Sequence, residues 1–151
     1  MKRRPPSETK VRVEPAGDPP YPVWVTAAVH PKLTRRGHTR FDPSKLRLWR
    51  LPHSKRRQLR TGEWVYRQIR RNDLLERCLG LRDLLQIKRH GIRYYRRHFG
   101  KRPVFGWKSV VRDRLGFLYV PYLFEFGDGV EIHWYFLNLP GIVPRSGIPE
   151  A

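Results

Sequence analysis

The sequence is short of cysteine, of acid and of long apolar runs, and each shortage narrows what the chain can be. A single cysteine, Cys78, among 151 residues rules out an internal disulfide and any multi-cysteine zinc site, and it fits a reducing compartment. Its expected role is that of a small buried apolar side chain. The longest late charge-free run, 132–144, is too short and too interrupted by proline to span a bilayer. Residues 1–22, MKRRPPSETKVRVEPAGDPPYP, lack the apolar stretch of a secretory signal. The expectation is a cytoplasmic protein with no membrane segment.

Recognisable catalytic patterns are missing too. The chain has no Gly-rich phosphate loop, no Gly-x-Ser-x-Gly elbow and no His-Glu-x-x-His. His90 and His98 are eight residues apart rather than four, and His30, His38 and His53 fall near or in loops, so the histidines make no metal case. No cofactor is expected, and most nucleophile-based enzyme classes lack support.

Acid is the shortage with the largest consequence. Thirteen Asp and Glu against 32 Lys and Arg leave a formal charge of +19 and a pI near 11.2. Such a fold must tolerate strong self-repulsion or have a polyanion nearby, and nucleic acid is the first candidate. The charge is unevenly placed. Residues 1–114 hold 31 basic and 9 acidic residues, a net +22, and the remainder holds one against four, a net −3. Arginine outnumbers lysine by 24 to 8, which suits bidentate contacts to phosphate and guanine. A GC-rich genome produces the same bias without selection.

What is present argues for one folded unit. Hydrophobic residues at 39% and aromatics at 13% are too many for a wholly disordered chain, while 14 prolines imply irregular segments. The organisation expected is a disordered, basic, Pro-rich arm over 1–22, a single α+β domain over 23–139 and an extended tail over 140–151. Within the domain, VWVTAAV at 23–29 reads as a strand ended by His30-Pro31. A polar loop, KLTRRGHTRFDPS, follows. KLRLWRL at 45–51 alternates as a second strand, and its Trp49, near Arg47 and Arg50, reads either as half-buried under snorkelling arginines or as a base-stacking ring.

The middle of the chain reads as basic helix. Over 54–72 the apolar residues Leu59, Tyr66 and Ile69 share a side, Ser54 is a candidate N-cap and Gly62 weakens the centre. A short helix is expected over 73–79, with Asp73 and Glu76 at capping-box spacing and Gly80 as its stop. The clearest helix spans 81–99, LRDLLQIKRHGIRYYRRHF, with Gly100 where a terminating glycine belongs. At 100° per residue, Leu81, Leu84, Leu85, Ile92, Tyr95 and Phe99 form one face, and Arg82, Gln86, Arg89, Arg93, Arg96 and Arg97 form a stripe nearly opposite. Gly91 inside it permits a kink or a break.

The C-terminal part, 104–139, reads as a three-stranded antiparallel meander and the main core layer. Its strands are expected at 104–111, 117–126 and 131–136, with turns at Asp113–Gly116 and Gly127–Gly129. The central strand is apolar on both faces, as burial on both sides requires. Pro121 conflicts with that, because proline cannot donate to a ladder, so a bulge or break is expected there.

Three readings of function follow. Arginine and lysine contacts to phosphate through Lys55, Arg56, Arg57, Arg60, Arg70, Arg71, Arg82, Arg89, Arg93, Arg96 and Arg97 point to a non-catalytic protein that binds RNA or DNA, with RNA slightly favoured. The blander reading of the same residues is a set of solvated helix faces. Most meander aromatics read as core, with Trp134, Tyr135 and Tyr119 as the rings to test for a stacking platform. A protein-interaction adaptor, or a subunit of a larger ribonucleoprotein, is the alternative. A metal-dependent nuclease is the third reading. It would use Asp113, Glu125, Asp128, Glu131 and His133 around Mg²⁺, although the spacing departs from the Asp…Glu-x-Lys arrangement of many nucleases.

Overall fold

The computed structural model of the chain describes residues 11–12, 19–36, 40–48, 61–138 and 147–149. It is an α+β fold in which a helical middle segment packs on a C-terminal antiparallel sheet joined by an N-terminal strand. The elements in order are β1 (Val11–Arg12), β2 (Val25–Ala28), α1 (Pro31–Arg36), β3 (Arg40–Phe41), β4 (Leu46–Leu48), α2 (Gly62–Arg71), α3 (Leu81–Arg89), α4 (Gly91–Phe99), β5 (Val104–Phe105), β6 (Val111–Asp113), β7 (Leu118–Phe126), β8 (Gly129–Phe136) and β9 (Gly147–Pro149).

The main sheet runs β2-β6-β7-β8, with β5 sharing β6's edge of β7, and every pairing is antiparallel. Two small two-stranded ladders, β1 with β3 and β4 with β9, lie apart from it. The β7–β8 hairpin is in register from Tyr119–Phe136 to Phe126–Gly129. Gly127, at φ 59°, supplies the left-handed backbone that its two-residue turn demands. At the β6–β7 turn the Asp113 carboxylate accepts the N–H groups of Leu115 and Phe117, both at 2.9 Å.

Both faces of β7 are covered, as its apolar composition requires. Because the pleat alternates, Val120 and Tyr135 face one way and Leu123 and Ile132 the other. The first face packs with Val65, Tyr66 and Ile69 of α2 and with Phe105 and Trp107. The second packs with Leu84 and Ile87 of α3, Tyr94 and Tyr95 of α4, Phe41 and Val104. Helix α2 and the α3–α4 pair therefore sandwich the sheet. Cys78 is fully buried in the first cluster. Its thiol, pushed up to about 12 by burial, donates to the Leu74 carbonyl at 3.3 Å.

Several expectations need correction. The strand expected over 104–111 is interrupted: β5 ends at Phe105, residues Trp107–Ser109 form a 3-10 turn, and β6 begins at Val111. Pro121 does not break β7, which runs unbroken from Leu118 to Phe126. The break falls in the neighbouring strand instead. Gly106 N–H donates to the Pro121 carbonyl at 2.9 Å, and Gly106's own carbonyl accepts Ser109 N–H at 2.9 Å. The ladder on that edge is interrupted where Pro121 has no N–H to give. A Cβ at Gly106 would crowd this crossing, meeting Leu84 Cδ1 at 3.0 Å and the Gly80 carbonyl carbon at 3.2 Å, so these neighbours would have to give by a few tenths of an ångström.

The helical middle also differs in detail. The described part of the 54–72 helix starts at Gly62, capped by Thr61, whose hydroxyl accepts Trp64 N–H at 3.2 Å. Gly62 is thus at the helix start rather than its weak centre, and Ser54 lies outside the described residues. Asp73 sits at φ 53° just beyond α2, and only a single 3-10 turn, Leu75–Arg77, follows. Gly80 is the N-cap of α3 rather than a stop, and its N–H donates to Asp83 Oδ2 at 2.7 Å. The expected 81–99 helix is two helices, broken where Gly91 takes φ 86°. The polar loop after Pro31 contains the short α1 instead. Thr34 of α1 is buried, with its hydroxyl 2.6 Å from Ser109 Oγ, which accepts Leu81 N–H at 2.7 Å. This relay ties α1, α3 and the 3-10 turn together.

Candidate nucleic-acid interface

The two helical layers differ sharply in charge. Residues 61–80, which include α2, carry four basic side chains against three acids, a net of +1. Residues 81–102, which include α3 and α4, carry eight against one, a net of +7. The one acid of the second segment, Asp83, is fully buried and holds the N-terminus of α3. It therefore offers no surface charge to offset the basic residues. The sheet lies between the two layers, so the arginines of α2 and those of α4 are on opposite sides of the molecule.

On the α2 side, Arg70 and Arg71 are exposed. The Arg70 guanidinium lies 5.6 Å from the centre of the Tyr66 ring. It lines an open cleft of about 560 Å³ with His30, Leu33, Asp73, Leu75 and Glu76. The two carboxylates in that cleft offset its cation. The Tyr66 hydroxyl and His30 Nε2 share a hydrogen bond. Burial, and secondarily the nearby Arg70, hold His30 below its ordinary value, which favours the neutral imidazole.

On the other side, the kink at Gly91 divides the expected stripe. Arg82 and Arg89 stand on α3 and Arg93, Arg96 and Arg97 on α4. Arg82 is partly buried, and the other four are exposed. Arg96 is committed within the molecule, its Nε and Nη2 both donating to Glu125 Oε1, at 2.8 and 2.5 Å. That hydrogen-bonded pair lowers the Glu125 carboxyl. Arg93 and Arg97 have no carboxylate partner among the described residues. They sit one helical turn apart and line a cleft of about 440 Å³ with His90 and Tyr94. Lys55, Arg56, Arg57 and Arg60 lie outside the described residues, as does Trp49.

The sequence reading missed what stands beside these arginines. His90, Tyr94 and His98 recur every four residues, and their rings adjoin in a row that crosses the Gly91 break. The His90–Tyr94 centroids are 4.4 Å apart at 24°, and Tyr94–His98 are 4.4 Å apart at 49°. An eight-residue histidine spacing is wrong for a metal but right for two outer rings flanking a third. Burial pushes the Tyr94 hydroxyl up to about 12, and Asp42 adds to the effect.

The acidic group does not converge. Glu125 pairs across the ladder with Val130 and Glu131 with Phe124, so the pleat points the two carboxylates to opposite faces. Asp113 is occupied by its turn, and Glu131 lies 2.9 Å from His133. Among the described residues no group of three or more His, Cys, Asp and Glu is placed to hold a metal ion.

Of the three rings singled out as a stacking platform, Tyr135 is buried and Tyr119 and Trp134 are half-buried. Tyr119 and Trp134 pack against Trp24, at 4.8 and 5.6 Å between centroids. No helix among the described residues is long and apolar enough to cross a membrane. No protein-family model, curated protein or solved structure matches the chain.

Proposed function

We propose that the protein binds nucleic acid, with RNA slightly favoured over DNA, through Arg89, Arg93 and Arg97 on its α3–α4 side. The observation that carries this reading is the net charge of +7 over residues 81–102, whose only acid is buried. A solvated helix face needs no such excess, and like charges this dense repel one another unless a polyanion lies against them. Arg96 has a smaller part than the sequence suggests, because Glu125 already engages it. The preference for RNA rests on abundant arginine alongside aromatic rings.

The test is a binding titration of the full chain against RNA and DNA at several salt concentrations. Each phosphate contact adds about 0.7 to 0.9 to the slope of log affinity against log salt. Reversing Arg89, Arg93 and Arg97 to Glu should therefore lower that slope by roughly 2 to 3. Wild-type affinity that stays within about twofold between 50 and 200 mM salt, or a slope that the reversals leave intact, refutes the reading.

A second reading keeps some support. Val23, Leu115, Phe117 and Trp24 are exposed apolar side chains around the β6–β7 turn, with Val23 fully open to solvent. That patch suits an adaptor that also meets a protein. Crosslinking in cells that recovers protein and no nucleic acid would favour it.

A further inference from the structure

We infer that the His90–Arg93–Tyr94–Arg97 cleft takes one unpaired nucleotide of a single strand, with its phosphate held by the two arginines and its base stacked on His90. The inference rests on the proposed nucleic-acid binding and narrows it to one class of polymer. Three features of the cleft carry it. The first is size: at about 440 Å³ it lies within the range of small-ligand sites, roughly 300–1,000 Å³. The second is charge. Arg93 and Arg97 are four residues apart on one helix, so their stems emerge side by side. Among the described residues Asp42 acts on Tyr94 and His98, and its Oδ1 accepts the Ser44 N–H at 2.9 Å and the Ser44 hydroxyl at 2.6 Å.

The third feature is the column of rings, which is closed at one end and open at the other. His98 is half-buried, packs against Phe99 and lines a small niche with Pro43, Leu46, Arg102 and Val104. His90 is exposed, and among the described residues only Tyr94 stacks on it. A flat ring placed on the outer face of His90 extends the column by one layer. Every base has a π-face that can do this, so the contact carries no sequence preference. In a duplex the base faces are covered by their neighbours, and only backbone phosphate remains to be met. Paired and unpaired strands with equal phosphate number are therefore expected to differ in affinity, by an amount set at His90.

The experiment is fluorescence anisotropy of the full chain with three labelled probes. These are a single-stranded oligonucleotide, the same strand made abasic throughout, and a hairpin duplex of matched phosphate number. The expected result is that the single strand binds about tenfold more tightly than either other probe, as one lost base–ring stack implies. His90→Ala should remove about that factor from single-strand binding alone, and His90→Phe should retain it. Replacing Arg93 and Arg97 by Ala should weaken all three probes. Equal affinity for the three probes, or a His90→Ala effect as large on the abasic strand as on the intact one, overturns the stacked nucleotide while leaving phosphate binding in place. If none of the probes binds at low salt, the underlying binding reading fails as well.

Discussion

Pro121 is the residue that strand propensity would remove first from a central strand, yet the fold depends on its lack of an N–H. In a strand the N–H and C=O of one residue point to the same edge. Pro121's carbonyl meets Gly106 N–H on the β5–β6 edge, while the Gly106 carbonyl opposite is turned away to accept Ser109 N–H. Pro121→Ala places a buried donor on that edge, facing a carbonyl already engaged elsewhere. An unsatisfied buried N–H costs about 1–3 kcal/mol. The freer unfolded chain adds about 0.4–1 kcal/mol, and losing two ring methylenes against the 3-10 turn adds about 1.6 kcal/mol. The sum is roughly 3 kcal/mol or more. Urea unfolding followed by tryptophan fluorescence reads it as a lower midpoint with unchanged slope. A midpoint that stays or rises would mean that the 3-10 detour is not matched to the proline, and the account of this edge would be wrong.

Gly91→Ala separates one helix from two by sign. In a continuous 81–99 helix the change should stabilise by about 1 kcal/mol. At φ 86° with nothing within 4 Å of the added methyl, backbone strain alone should destabilise by about 1–2 kcal/mol, as thermal or urea unfolding will show. Acid should weaken the fold through His30. Burial lowers its folded value from 6.5, with Arg70 contributing, so the unfolded chain binds more protons just below that value and stability falls as pH drops through it. His98 acts in the same direction, lowered by burial and then by Arg97. The difference in thermal midpoint between wild type and His30→Gln should therefore shrink between about pH 7.5 and 5.5. A difference that does not change with pH refutes this role for His30.

The layers of the fold were legible from the sequence because they depend on local pattern. Two-sided burial of β7, the hairpin at Gly127-Asp128 and the apolar face formed by Leu81, Leu84 and Tyr95 all follow from periodicity. Long-range partners were not legible. Nothing in the 104–111 pattern announces that Gly106 must leave its ladder opposite Pro121, since that depends on which strand lies alongside. Helix α1 is only six residues and reads as polar. It is stabilised by Thr34, whose hydroxyl pairs with Ser109, 75 residues away. The sequence permits a kink or break at Gly91, but propensity alone cannot say that its φ is positive. That φ ends the register on which a single arginine stripe was drawn. It also explains why Ile87 and Tyr94, outside the expected apolar face, are buried.

The same kink bears on the candidate site. A straight helix would align Arg82, Arg89, Arg93, Arg96 and Arg97 along one rod, as if to track a backbone over its whole length. The break leaves Arg82 partly buried and Arg96 tied to Glu125, so Arg93 and Arg97 are left to face a cleft that opens beside His90. Residues 81–102 carry eight cations against one acid, and that acid, Asp83, is buried at the N-terminus of α3. Such an excess opposes folding through self-repulsion, and any polyanion that covers the α3–α4 side relieves it. Under the proposed function, ligand binding and stability are thus coupled on this side of the sheet. On the α2 side, where cations and carboxylates nearly cancel, the same argument predicts no coupling.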